Sequence, residues 1–86
     1  MVYEVELSKA AARQIRKLDR QIQIRILNRL DNLKDDPRPA GAIQLQGTTE
    51  VLYRIREGAF RVIYIVEDKK LLVLVLRVAH RSEVYR

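Results

Sequence analysis

The sequence predicts an α+β domain: an antiparallel β-sheet, built from an N-terminal strand and a C-terminal three-stranded meander, packed on an N-terminal helical hairpin in the order βααβββ. Three observations predict it. Val51 to Arg56, Phe60 to Glu67 and Leu71 to Ala79 are rich in β-branched and aromatic residues and are separated only by Glu57-Gly58-Ala59 and Asp68-Lys69-Lys70, the pattern of a meander. Between Ser8 and Lys34, apolar residues recur every three or four positions, the period of helices. Val2 to Leu7 alternates, with Tyr3, Val5 and Leu7 on one side and Glu4 and Glu6 on the other, as in a half-buried strand at or near a sheet edge.

Ser8 offers its hydroxyl as the N-cap of a first helix that runs through Lys17 and carries Ala11, Ile15 and Leu18 on one side. Asp19 is placed to cap a second helix. There Ile22, Ile26, Leu30 and Leu33 form a stripe that Ile24 and Leu27 widen, while Arg20, Arg25, Arg29 and Lys34 take the outer faces. Asp36-Pro37 stops that helix, because proline disfavours the helical conformation in the residue before it. Pro37 to Thr49 holds both prolines and two of the three glycines and reads as a surface loop anchored by Leu45. Val62 to Val66 and Leu71 to Leu76 are almost continuously apolar, which predicts central strands covered on one face by the helices and on part of the other by a partner or substrate. Gly58 supplies the turn between the first two meander strands.

A chain of 86 residues with 48% hydrophobic residues is one domain, 1–86, with a core of its own. It has no cysteine and one histidine, so thiolate sites are excluded and no metal or other cofactor is expected. The N-terminus carries no basic leader and the longest apolar run is too short to span a bilayer, which leaves the cytoplasm as the expected compartment and no membrane as a partner. Seventeen basic against eleven acidic residues give +6, which favours nucleic acid or an acidic protein as the partner.

The meander carries the side chains suited to chemistry. Its period of two puts Arg54 and Arg56 on one face of the first strand, opposite Tyr53 and Ile55, and adjacent guanidiniums repel one another unless an anion lies between them. Arg61 begins the next strand, and His80, Arg81 and Tyr85 follow the last one. Guanidiniums bind phosphate oxygens bidentately and stabilise the charge of a phosphorane-like transition state. His80 is the side chain whose ordinary pKa, about 6.5, suits it to move a proton. Tyr85 is suited to stack on a base or to support a scissile phosphate. The competing reading makes each arginine a solvated surface residue, His80 a structural hydrogen-bonder, and the helix cations the wet side of the hairpin. No Ser-His-Asp order, glycine-rich phosphate loop or paired-carboxylate pattern is present.

Leu45-x-Gly47, Tyr53-Arg-Ile-Arg56, Phe60-Arg-Val-Ile-Tyr64 and the ending Val78-Ala-His-Arg-Ser-Glu-Val-Tyr85, in the order strand, two helices, three strands, resemble the RelE/ParE superfamily of type II toxins over essentially the whole chain. The ending is similar to the RelE branch, whose members are ribosome-dependent endoribonucleases that cut messenger RNA in the A site. That resemblance implies attack of a ribose 2′-hydroxyl on the adjacent phosphate without a metal. It makes Arg54 and Arg56 the basic pair of the first meander strand, Arg61 the phosphate-stabilising arginine, Arg81 the residue beside the leaving group and Tyr85 the aromatic that orients substrate. It also implies an acidic, RelB-like antitoxin, and a toxin-antitoxin complex that binds its own operator DNA through the antitoxin. The best-known RelE toxins carry lysines where Arg54 and Arg56 stand, and arginine is the poorer base. Two alternatives follow: the arginines act only electrostatically, or His80 takes a proton-transfer role. The chain ends one residue after Tyr85, without the C-terminal helix of some relatives, so RNA or the ribosome is expected to order that tyrosine. A ParE-type inhibitor of DNA gyrase on the same fold, and a noncatalytic RNA-binding module, are the rival readings.

Overall fold

The computed structural model describes residues 2–45 and 51–84, with the backbone only at 83–84. Gly47 and Tyr85 therefore lie outside the described residues. In order the elements are β1 (Glu4–Leu7), α1 (Lys9–Arg16), α2 (Arg20–Asn32), β2 (Ile43–Leu45), β3 (Leu52–Glu57), β4 (Phe60–Glu67), a 3-10 turn (Asp68–Lys70), β5 (Leu72–His80) and a single helical turn, α3 (Arg81–Val84). The strands form one sheet of order β1-β5-β4-β3-β2.

The α+β architecture and the β3-β4-β5 meander match the expectation, and three details correct it. β1 pairs with β5 in parallel, Glu4 against Leu72 and Leu7 against Val75, so the sheet is mixed and not antiparallel. Nothing in the alternation of either strand encodes the direction of a pairing across more than sixty residues. Ile43–Leu45, inside the expected loop, is a three-residue edge strand antiparallel to β3, too short to show a periodicity of its own. Arg81–Val84 adds a helical turn after the last strand.

α1 begins as expected: Ser8 Oγ accepts the Ala11 N–H at 3.0 Å and donates to the Leu76 carbonyl at 2.9 Å. Asp19 stands at the N-cap of α2 without a side-chain capping bond. Gln23 Nε2 instead joins the helices, donating to the Ile15 and Leu18 carbonyls at 2.9 and 3.1 Å. The core consists of Ala11 and Ile15 from α1, Ile26 and Leu30 from α2, Leu33 beyond its end, and Ile55, Val62, Tyr64, Val73, Val75 and Val78 from the sheet. Ile24 and Leu27 do not widen that stripe; they are 50% and 46% exposed. Gly58 has φ +60°, the left-handed value the β3–β4 turn requires.

One irregularity decides which side chains share a face. Ile63 pairs with Arg77 but Tyr64 pairs with Val75, so Leu76 is an extra residue in β5. Before it, Val73 and Val75 face the helices; after it, Val78 does. Arg77 and Ala79 are thereby turned away from the helices, and His80, opposite Phe60, is turned towards them. Where β1 ends, α1 covers the edge of β5, with Gln14 Oε1 accepting the Val78 N–H at 2.7 Å.

The other end of the sheet is held by a polar clamp. Arg38 donates through both terminal nitrogens to Asp68, at 3.2 and 2.8 Å, and through Nε to the Tyr53 hydroxyl at 3.0 Å, while the Tyr3 hydroxyl donates to Asp68 at 2.6 Å. Tyr64, fully buried and stacked on Tyr53, donates to the Pro37 carbonyl at 2.7 Å, and burial pushes its phenol up to about 12. These bonds fix the segment after α2 against the strands.

Candidate phosphate-binding face

The sheet face turned away from the helices carries a basic field built by strand register. Arg56 of β3 stands directly opposite Arg61 of β4, which stands opposite Ala79 of β5. One row along, Arg54, Ile63 and Arg77 stand side by side on the same face. Arg56 and Arg77 are exposed, Arg54 is half-buried and Arg61 is only 5% exposed. Among the described residues no ion pair involves Arg54, Arg56 or Arg77, and Arg54 Nε is buried without a hydrogen-bond partner. Guanidiniums outside any ion pair on one sheet face are suited to hold an anion such as phosphate.

The turn end of this face is braced from below. Arg29 of α2 reaches the Arg56 carbonyl at 3.4 Å and the Glu57 carboxylate at 4.0 Å. The Arg81 N–H donates to the Ala59 carbonyl at 2.7 Å, which ties the start of α3 to the turn preceding Arg61.

His80 is not part of this face. Its ring meets Phe60 edge-on at 5.5 Å and lines a cleft of about 300 Å³ with Gln14, Lys17, Leu18 and Val78 on the helix side. Its Nδ1 accepts the Ser82 N–H at 3.2 Å and lies 2.9 Å from the Ser82 hydroxyl, a contact that caps α3. The structure thus brings Arg54, Arg56 and Arg61 together, fixes the backbone of exposed Arg81 beside their turn, and sets His80 on the opposite face; Tyr85 lies outside the described residues. No group of three or more His, Cys, Asp or Glu able to hold a metal occurs among the described residues. None of the described helices is long and apolar enough to cross a membrane.

The chain is similar to known proteins in sequence and in fold. The family profile of the ParE toxin of type II toxin-antitoxin systems, parDE, covers residues 5–85. The chain belongs to this toxin family, within the RelE/ParE superfamily. The toxin RelG of Mycobacterium tuberculosis is 30% identical over 90 residues, spanning 100% of this chain and 99% of the relative. A putative RelE-like toxin protein of Escherichia coli is 32% identical over 88 residues, spanning 99% and 92%. In the solved archaeal RelE-RelB complex from Pyrococcus horikoshii OT3, one chain is 33% identical with a TM-score of 0.83 over 94% of this chain and 97% of that one.

In this RelE/ParE-family toxin, sequence reasoning missed Arg77. Strict alternation from Val73 and Val75 puts position 77 in the core and 80 on the arginine face; the extra residue at Leu76 reverses both. The run Leu72 to Leu76 is apolar on both faces, so it holds no alternation from which the shift is readable. The Arg38–Asp68 clamp was equally hidden, because its partners lie thirty residues apart.

Proposed function

We propose that this toxin is a metal-free endoribonuclease that cuts messenger RNA in the ribosomal A site and so halts translation in the cytoplasm, with the sheet face turned away from α1 and α2 as its site. The single observation that carries the reading is the cross-strand Arg56–Arg61 pair flanked by Arg54 and Arg77. The ribose 2′-hydroxyl attacks the adjacent phosphorus, its proton passes to solvent, and the 5′-oxygen leaves and takes up a proton, giving a 2′,3′-cyclic phosphate and a free 5′-hydroxyl. Arg61, withdrawn from water, holds the phosphate oxygens where charge accumulates; Arg54 and Arg56 hold the flanking backbone. Arg81, whose backbone is fixed to the β3–β4 turn, stands beside the leaving oxygen, and Tyr85 orients the nucleotide. The only histidine faces the helices, so its contribution is to set the direction in which the chain leaves β5, and the arginines act electrostatically.

Relatives solved as RelE-RelB complexes support an antitoxin as partner. The +6 charge favours an acidic, RelB-like one that carries the pair to its operator DNA. A second reading is favoured by the family profile itself, which describes ParE toxins: inhibition of DNA gyrase through a protein surface, without cleavage. Primer extension on messages from expressing cells separates the two. Cuts inside translated regions support the nuclease; intact messages with DNA damage, relieved by a resistant gyrase, support the gyrase poison.

A further inference from the structure

β1 ends at Leu7, opposite Val75, so beyond that point no strand lies along this edge of β5. α1 takes its place through Gln14, whose Oε1 accepts the Val78 N–H at 2.7 Å. That bond fixes which end of the carboxamide meets the backbone and leaves Nε2 as a donor, without a partner among the described residues. Gln14 is also part of the wall of the cleft of about 300 Å³ that Lys17, Leu18, Phe60 and His80 line. The Phe60 and His80 rings meet at 87° and form an aromatic corner there. Lys17 is exposed and belongs to no ion pair among the described residues.

The cleft lies beside a basic stretch. Residues 9–30 hold one acid, Asp19, against seven cations. Of these, Lys9, Arg13 and Lys17 recur every fourth residue, the spacing of one helix face, and all three are exposed and outside the ion pairs among the described residues. The cleft also shares an end of the sheet with the arginine pair. Phe60 precedes Arg61 in β4, His80 follows Ala79 in β5, and both Phe60 with His80 and Arg61 with Ala79 are cross-strand partners, so the two sites back onto each other through the same strands.

We propose that this cleft holds an unpaired nucleobase of RNA. The base packs in the corner of the Phe60 and His80 rings, Gln14 Nε2 and the Lys17 ammonium donate to acceptors on its edge, and Arg13 and Lys9 hold the neighbouring phosphates. The choice of RNA rests on the nuclease reading above. Aromatic walls favour a partner with a π face, and donors set among cations favour one that is anionic and rich in acceptors; a nucleotide is both. A second copy of the chain brings +6 against +6 and is disfavoured.

The test is a nuclear magnetic resonance titration of the labelled toxin, carrying Arg61→Ala so that it accumulates, with each ribonucleoside monophosphate and with ribose 5-phosphate as the base-free control. Nucleotides are expected to shift the Gln14 carboxamide and the Phe60 and His80 ring signals saturably, and ribose 5-phosphate to leave them in place. Phe60→Leu, which keeps an apolar side chain, and Gln14→Glu, which keeps the acceptor for Val78 and loses the donor, should each weaken binding by about tenfold. Retained protection of the Val78 amide shows that Gln14→Glu leaves the edge of β5 intact. Equal shifts with ribose 5-phosphate overturn the proposal, because the cations alone then account for binding. So do shifts confined to Arg54 and Arg56, or cleft shifts produced by N-acetylglutamate amide and by no nucleotide, which mark a seat for an acidic protein side chain. Message cutting on ribosomes by the chain with Arg61 restored, without any nucleotide shift at the cleft, overturns the cleft and leaves the nuclease reading standing. Cleft shifts with every message intact support the cleft and overturn the nuclease reading.

Discussion

Arg56 and Arg61 are direct cross-strand partners on the sheet face turned away from α1 and α2, one exposed and the other 5% exposed. A guanidinium does not give up its proton in a protein, so the buried member of the pair remains charged. Two guanidiniums in register on one face are a good way to hold a phosphate.

Arg61→Ala is expected to lower single-turnover cutting on programmed ribosomes by roughly 100- to 1,000-fold, the loss typical for one preorganised donor of transition-state charge. The circular dichroism spectrum should stay native, since the side chain lies outside the core cluster. Arg61→Lys, which keeps the charge and loses the fork, should fall between. Full cutting by the alanine variant removes Arg61 from the site.

The capping bond from Ser82 to His80 separates a positioning role from proton transfer. His80→Asn, able to accept the same N–H, is expected to retain more activity than His80→Ala, with the pH–rate profile unmoved in both. Equal losses, with the limb of the profile near neutrality gone, would show that His80 moves a proton.

Arg77 stands beside Ile63 in the same row as Arg54. Arg77→Ala should weaken RNA binding without sequence preference and reduce the slope of log affinity against log salt by about 1. An unchanged slope would make Arg77 a bystander.

The clamp gives a pH dependence of known sign. The Arg38 contact, followed by the Tyr3 hydroxyl, holds the Asp68 carboxyl below the usual carboxylate range. A depressed carboxyl stabilises the fold above its unfolded value, about 3.9, and loses that contribution as pH falls through its folded value. Asp68→Asn should therefore melt below wild type at pH 7, with the gap closing below about pH 4. A gap independent of pH would place the clamp's contribution elsewhere.

Much of this was legible in the chain. Ser8, the Ile26–Leu30–Leu33 stripe, the Gly58 turn and the three meander strands each follow from local chemistry, and so does the shared face of Arg54 and Arg56. What was not legible depends on pairing between distant segments. The parallel union of β1 with β5 and the three-residue β2 leave no mark in local periodicity. The extra residue at Leu76 sits in a stretch apolar on both faces, and it alone moves Arg77 onto the basic face and His80 off it. Ile24 and Leu27, assigned to the core by their spacing, are exposed because α2 buries a narrower stripe than its sequence offers.

The most direct test of the arginine face as a nuclease site is to incubate the purified chain with ribosomes holding a message in the A site, map the cut and analyse both new ends. A 2′,3′-cyclic phosphate upstream and a 5′-hydroxyl downstream are expected, with both lost in Arg61→Ala. Intact message at every toxin concentration, with supercoiling by purified gyrase blocked in parallel, would contradict it.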